Sequence, residues 1–360
     1  SFVRRISGRP STSRYSPSSP LSLIHVDENA KIITPFQCII GRIRELLRGV
    51  GASKEKRHGS CGCGIGEVMM DSLAGNFPLQ LTLKDCFDQH LLESKLSEIK
   101  GAKAVQVEQM VADSDLLAEG HTEITAQIWA ELELFQSKDL QSAWLQLCRT
   151  ILQEINPTDL DYLAGQLKKG PVVFEGAQGV LIDETYGFAP HNTWSNCTSR
   201  NAERIIEETG VDTEVIKVGV SRAYHTRHGA GPIPTEDFIG ELDHLKAGEH
   251  NCHNAWQGAF RVGWIDLILL KYAAQATGGI NELAITCLDR HNDEWKACAE
   301  YTFAKDALPK LTHFKPTFVT MNTEKLIEAM EEAVLAPATI LSHGPTWKDR
   351  SARVPAKVLV

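Results

Sequence analysis

The sequence contains no Gly-Lys dipeptide anywhere in its 360 residues. That excludes a phosphate loop of the Gly-x-x-x-x-Gly-Lys-Ser/Thr kind, which needs the lysine ammonium beside its backbone N–H cradle. Long apolar runs are absent too. The densest, Leu267-Ile268-Leu269-Leu270, falls far short of the ~20 residues a helix needs to cross a bilayer, so no membrane partner is expected. Basic excess is missing: 37 lysines and arginines face 46 aspartates and glutamates, a net charge of −9. Without a basic footprint, no nucleic-acid partner is expected. The nine cysteines are odd in number and follow no disulfide framework, so they read as reduced thiols of a cytoplasmic protein. His225 with His228, and His250 with Cys252 and His253, lack a fourth ligand at a zinc spacing; they read as polar loop residues, and no metal ligand is assigned.

What is present fits a globular chain, with 42% hydrophobic and 23% charged residues. Residues 1–26 stand apart: they carry Arg4, Arg5, Arg9 and Arg14, many serines and no acid. This segment reads as a disordered or non-native opening, although its composition also resembles an organellar transit peptide. The remainder, 27–360, reads as one domain. Lys31-Ile32-Ile33 reads as a short strand, and Pro35 opens a helix with Ile39, Ile40, Ile43, Leu46 and Leu47 at helical spacing. Residues 82–167 are mostly helical in pattern, a helical insertion. From Gly170 onward strands alternate with helices: strands at Pro171–Phe174, Glu214–Val220 and Glu282–Thr286, helices at Asn201–Thr209, Trp264–Ala276 and Thr323–Leu335. Alternation of this kind predicts an α/β fold with a largely parallel central sheet flanked by helices.

Glycines cluster where strands end. Val172-Val173-Phe174 runs into Glu175-Gly176-Ala177-Gln178-Gly179, and Val218-Gly219-Val220 leads to Thr226-Arg227-His228-Gly229-Ala230-Gly231-Pro232-Ile233-Pro234-Thr235-Glu236. Glycine lets a backbone approach a ligand closely, while Gln, Thr and Arg supply donors. Two such junctions point to a nucleotide site at the carboxyl ends of a sheet. A third glycine-rich run, Gly59-Ser60-Cys61-Gly62-Cys63-Gly64-Ile65-Gly66, can offer backbone N–H groups to a phosphate, with the Ser60 hydroxyl beside them.

These runs resemble motifs of the adenylosuccinate synthetase family. The first matches Phe-Glu-Gly-Ala-Gln-Gly in full, and the second matches Thr-Arg-x-Gly-x-Gly-Pro-x-Pro-Thr-Glu. Between them, Ser195-Asn196-Cys197-Thr198 resembles Ser-Asn-Thr-Thr. Weaker likeness runs from about Arg57 to Arg350. The resemblance implies a P-loop-NTPase-like α/β fold and a ligase of purine nucleotide biosynthesis. Such a ligase joins L-aspartate to IMP with GTP hydrolysis, through a 6-phosphoryl intermediate, and gives adenylosuccinate. It implies Mg2+ as cofactor and a homodimer. By the same resemblance Ser60, Cys61, Gln178 and Thr198 bind the monophosphate, Gln178 through the base. Gln257 and Arg261, in Trp256-Gln257-Gly258-Ala259-Phe260-Arg261, fall on the aspartate-binding loop. Asp289, Ser342, Gly344 and Pro345 fall on the donor-nucleotide site, where Asp289 accepts from guanine N1 and N2.

The departures matter as well. Cys61 replaces a threonine, Cys63 an arginine, Glu67 a proline, Cys287 a lysine and Ala259 an arginine that approaches the ribose hydroxyls. A phage branch that makes 2-amino-deoxyadenylosuccinate from dGMP, with ATP or GTP, carries runs similar to Trp-Gln-Gly-x-Phe-Arg and His-Thr-Arg-His-Gly, and is the leading alternative. The family's acid and base residues lie on a Gly-Asp-Glu-Gly-Lys-Gly-Lys-type loop and a following Asn-Ala-Gly-His, and neither string occurs here. No catalytic residue is therefore assigned. The expectation is a ligase whose N-terminal phosphate loop lies outside this sequence, so that these 360 residues alone are incomplete and inactive, with a non-catalytic nucleotide-binding remnant as the other reading.

Overall fold

A computed structural model describes residues 2–4, 23–49, 57–75, 79–114, 123–247, 253, 256–303 and 314–353. They fall into two compact units, 1–177 with 201–213, and 178–200 with 214–360. Gly51, His250, Cys252, Asn254 and Ala255 lie outside the described residues, as does most of the opening segment.

The first unit is mainly helical. Its elements are β1 (Phe2–Arg4), β2 (His25–Asp27), α1 (Pro35–Leu47), α2 (Ile65–Leu73), α3 (Gln89–Ala112), α4 (Glu123–Gln136), α5 (Lys138–Leu152), β3 (Asn156–Thr158), α6 (Leu160–Lys169), β4 (Val173–Glu175) and most of α7 (Arg200–Thr209). β1 pairs antiparallel with β4, and β2 pairs parallel with β3. Within the opening expected to be disordered, Phe2–Arg4 is thus a paired strand. Thr34 closes a capping box with Gln37 at the start of α1, satisfying two donors that the first turn leaves open. Phe36, Ile39, Ile40, Ile43 and Leu46 are then fully buried, together with Leu92, Leu96 and Ile99 of α3 and Ile128 of α4. Each such side chain contributes roughly 1.5–3 kcal/mol when taken out of water. Lys31-Ile32-Ile33 is not a strand: Lys31 makes one isolated bridge to Thr82, and the strand is the preceding His25–Asp27.

The second unit holds β5 (Val218–Arg222), β6 (Tyr224–His228), β7 (Phe260–Asp266), α8 (Leu267–Ala276), β8 (Glu282–Thr286), β9 (Trp295–Phe303), β10 (Phe314–Met321), α9 (Thr323–Val334), β11 (Ala338–Ser342) and β12 (Arg350–Ala352). One sheet has the order β12-β11-β8-β5, the other β10-β9-β7-β6. β11, β8 and β5 are mutually parallel, as are β7 and β9; the remaining pairs are antiparallel. The α/β class holds, with mixed rather than purely parallel sheets. One core of buried residues, including Trp264, Ile265, Ile285, Trp295, Leu326 and Met330, backs both sheets. Trp264 and Ile265 belong to β7, not to the expected helix; the helix starts only after Asp266, whose fully buried carboxylate caps it by accepting from the N–H groups of Ile268 and Leu269.

Candidate nucleotide site

In the first unit, the glycine-rich loop leads into α2. Gly59, Gly62 and Gly64 all have φ between +70° and +81°, conformations that favour glycine. A Cβ on Gly64 would lie 2.9 Å from the backbone N of Cys38, so the loop packs directly on α1. Gly59 N–H donates to the buried Glu45 carboxylate (2.8 Å), and Arg42 Nε donates to the Gly62 carbonyl (3.0 Å). No side chain caps α2. Ser60 is exposed, and its hydroxyl accepts from Gly62 N–H (3.2 Å). Cys61 is half-buried, and its carbonyl accepts from the Cys63 thiol (3.7 Å). Burial pushes the Cys63 thiol up, which keeps it neutral.

The other predicted site residues lie in the second unit. Gln178 is exposed and sits at φ 68°, a left-handed conformation that a non-glycine residue holds only under local constraint. Its amide oxygen accepts from the Ser195 hydroxyl (3.3 Å) and faces the Cys197 thiol (3.7 Å). The following turn is organised by Asp183, fully buried, which accepts from the N–H groups of Thr185, Tyr186 and Cys197 at 2.6–3.0 Å. Thr198 donates its hydroxyl to Asn196 (2.7 Å) and accepts from Arg200 N–H (3.2 Å). Burial raises the Cys197 thiol to about 11, so Cys197 stands where a hydroxyl was expected as a neutral, weak donor.

Arg227 ties this segment to the glycine turn. It donates to the carbonyls of His191 (2.6 Å) and Ala230 (2.7 Å). Burial, with Arg261 nearby, lowers its pKa to about 10, and it stays charged near neutrality. Arg261 donates to both carboxylate oxygens of Glu236 and, at 2.8 Å each, to the carbonyls of Gly229 and Gly231. Four of its five N–H hydrogens are thus engaged by protein groups. The fork expected for a substrate carboxylate is directed instead at Glu236. Gln257 lies in the adjoining turn, where its carbonyl blocks any Cβ on Gly229, and His228 Nε2 meets the Gly258 carbonyl at 3.1 Å.

The predicted donor-nucleotide residues come together at the carboxyl ends of the neighbouring parallel strands β8 and β11. Leu288 N–H donates to the Ser342 carbonyl (3.1 Å), bringing Asp289 beside Ser342-His343-Gly344-Pro345. Asp289 is exposed, and Cys287, two residues before it, is held at φ 64°. The buried Ser342 hydroxyl donates to the Gly344 carbonyl (3.1 Å), shaping the turn, and Gly344 packs on Asp349, where a Cβ would lie 2.8 Å from that side chain. Sequence reasoning missed Asp183, Ser195 and Glu236 as organisers. Asp183 had a visible signal, a short acidic side chain opening a turn directly after the glycine motif.

The family model for adenylosuccinate synthetase matches residues 16–331. The chain belongs to the adenylosuccinate synthetase family. That makes it a carbon–nitrogen ligase of purine nucleotide biosynthesis. The match begins inside the opening segment, ahead of the domain start expected at 27. The adenylosuccinate synthetase of Helicobacter acinonychis is 28% identical over 351 residues, spanning 91% of this chain and 77% of that protein. That of Halothermothrix orenii is 26% identical over 364 residues, with 92% and 77% spanned. In fold, the chain is similar to the fully ligated adenylosuccinate synthetase from Plasmodium falciparum, with a TM-score of 0.69 at 19% identity over 93% of this chain and 79% of that one.

Proposed function

We propose that the chain joins L-aspartate to IMP with GTP as donor. The γ-phosphoryl group of GTP passes to the purine O6; the aspartate amine then attacks C6 and orthophosphate leaves, giving adenylosuccinate and GDP. One observation carries this reading: an exposed Asp289 beside the Ser342–Pro345 turn at adjacent parallel strand ends. A carboxylate accepts from the guanine N1–H and N2–H together, whereas adenine N1 would present a lone pair to it. Gln178 supports the monophosphate side, since an exposed amide can donate to and accept from a hypoxanthine edge. In the first unit, Gly59–Gly66 with Ser60 and Cys61 suits a phosphate; in the second, Thr198 offers a hydroxyl, and Gln257 and Arg261 lie on the aspartate loop.

Among the described residues no three His, Cys, Asp or Glu side chains converge on a metal position. Mg2+ is held by one or two carboxylates and the phosphates of its nucleotide more often than by a protein cage, so it is proposed as a cofactor that would enter with GTP, and no step is derived through it. No helix among the described residues is long and apolar enough to cross a membrane. A cytoplasmic homodimer is the assembly we propose.

A second reading has its own support. Trp256, Gln257 and Ala259 depart from the family's aspartate loop, and Ala259 removes an arginine near the ribose. Both changes suit dGMP with ATP or GTP. A chain that binds nucleotides without turnover is the third reading. Titration calorimetry separates the first two. IMP should bind more tightly than dGMP, and GTP more tightly than ATP. Asp289→Asn should exchange the preference for GTP against xanthosine triphosphate by about tenfold or more, because an amide pairs with a carbonyl at C2 where a carboxylate does not. Preference for dGMP, or an unchanged GTP preference in the variant, would contradict the proposal.

A further inference from the structure

Around α2, the helix that follows the glycine-rich loop, lies a buried group of charges that the nucleotide contacts do not use. The buried stripe of α3 runs Leu92, Leu96, Ile99, Lys103, Val107, so a lysine takes an apolar position. Lys103 is 1% exposed; its Nζ lies 2.7 Å from Asp71 Oδ1 and 3.4 Å from Glu67 Oε2. Both carboxylates belong to α2 and are buried. Asp71 also accepts from Gln37 (2.8 Å), and Glu67 accepts from Arg44 Nε (2.8 Å) and Nη2 (3.4 Å). Two cations and two carboxylates balance.

Glu67 stands in the first turn of α2, directly after the loop. An uncompensated carboxylate there would repel a phosphate monoester at the backbone N–H groups of residues 60–66. We propose that Arg44 and Lys103 are positioning residues whose charge on Glu67 lets this loop accept a dianionic phosphate monoester. The inference rests on reading that loop as the monophosphate site. Arg44 is the sensitive member, because it reaches Glu67 from a partly exposed position, at 30% side-chain exposure, while Glu67 is held at 3%. Removing it leaves Glu67 one neutralising partner short beside the loop, with Lys103 shared with Asp71.

The test is calorimetry on the full chain with IMP and with inosine, which differ only in the phosphate. Arg44→Gln should weaken IMP about tenfold and leave inosine unchanged. Adding Glu67→Gln to Arg44→Gln should restore IMP to within about threefold of the parent, because the repelling charge is then gone. A merely structural staple predicts the reverse: the double variant stays weak, or inosine falls in step with IMP. Lys103→Met leaves two buried carboxylates short of a partner and can prevent folding, so Lys103→Arg accompanies it and should keep the IMP preference. If the parent chain binds IMP and inosine equally, the loop is not a phosphate site and both readings fall. If the parent prefers IMP but Arg44→Gln does not change that preference, the charge-balance inference alone falls.

Discussion

Arg261 has an expected ligand and an observed set of protein partners. From the sequence it reads as a carboxylate clamp for aspartate. In the structure its guanidinium grips Glu236 and two glycine-turn carbonyls, joining β7 to the Gly229–Gly231 turn. Arg261→Ala should therefore lower stability by about 2 kcal/mol, since it strands a part-buried Glu236 and two carbonyls, discounted for the pair's partial exposure. Denaturant unfolding reads this directly. Unchanged stability with a selective loss of aspartate affinity would return Arg261 to the substrate. Gln178 and Asp289 are proposed as site residues because each is a polar group just past a strand end among turn residues; both are exposed in the structure. The Arg44–Glu67–Lys103–Asp71 group was not legible, since its members are scattered over three helices and only packing brings them together.

Elements were read best where their signals are local. α1 starts at Pro35 as predicted, because Thr34, Pro35 and Gln37 supply a complete helix start. β8 covers Glu282–Thr286 as expected, a short apolar run between turn residues. β7 was misread because its bulky apolar residues run without a break into those of α8; the boundary is set by the single cap at Asp266. β9 and β10 escaped notice, since neither shows a clean alternation of apolar and polar residues, Pro316 falls within β10, and both are defined by pairing with each other. The loop before α2 is an element whose conformation rests on glycine. Gly64→Ala places a Cβ against Cys38 N at φ +81° and should destabilise the first unit by about 1–3 kcal/mol, seen as a lowered thermal midpoint. No change would mean that the loop does not depend on this packing.

At the scale of the molecule, two units each have their own buried core, and the candidate residues divide between them. Ser60 and Cys61 belong to the first; Gln178, Thr198, Gln257, Arg261, Asp289, Ser342, Gly344 and Pro345 belong to the second. This division was not legible in the sequence, where 27–360 reads as one domain: the first unit reclaims residues 201–213 after the chain has entered the second, and only contacts reveal such a return. Family and fold class were legible because motif order survives the changes at Cys61, Cys197, Ala259 and Cys287. The most direct test of the account is to incubate the protein, together with the N-terminal phosphate loop expected of it, with IMP labelled with oxygen-18 at O6, aspartate, GTP and Mg2+, and to analyse products by mass spectrometry. The account predicts unlabelled adenylosuccinate and one oxygen-18 in each orthophosphate released with it, because O6 leaves with the transferred phosphoryl group. Recovery of the label in IMP alone, with no adenylosuccinate formed, would contradict it.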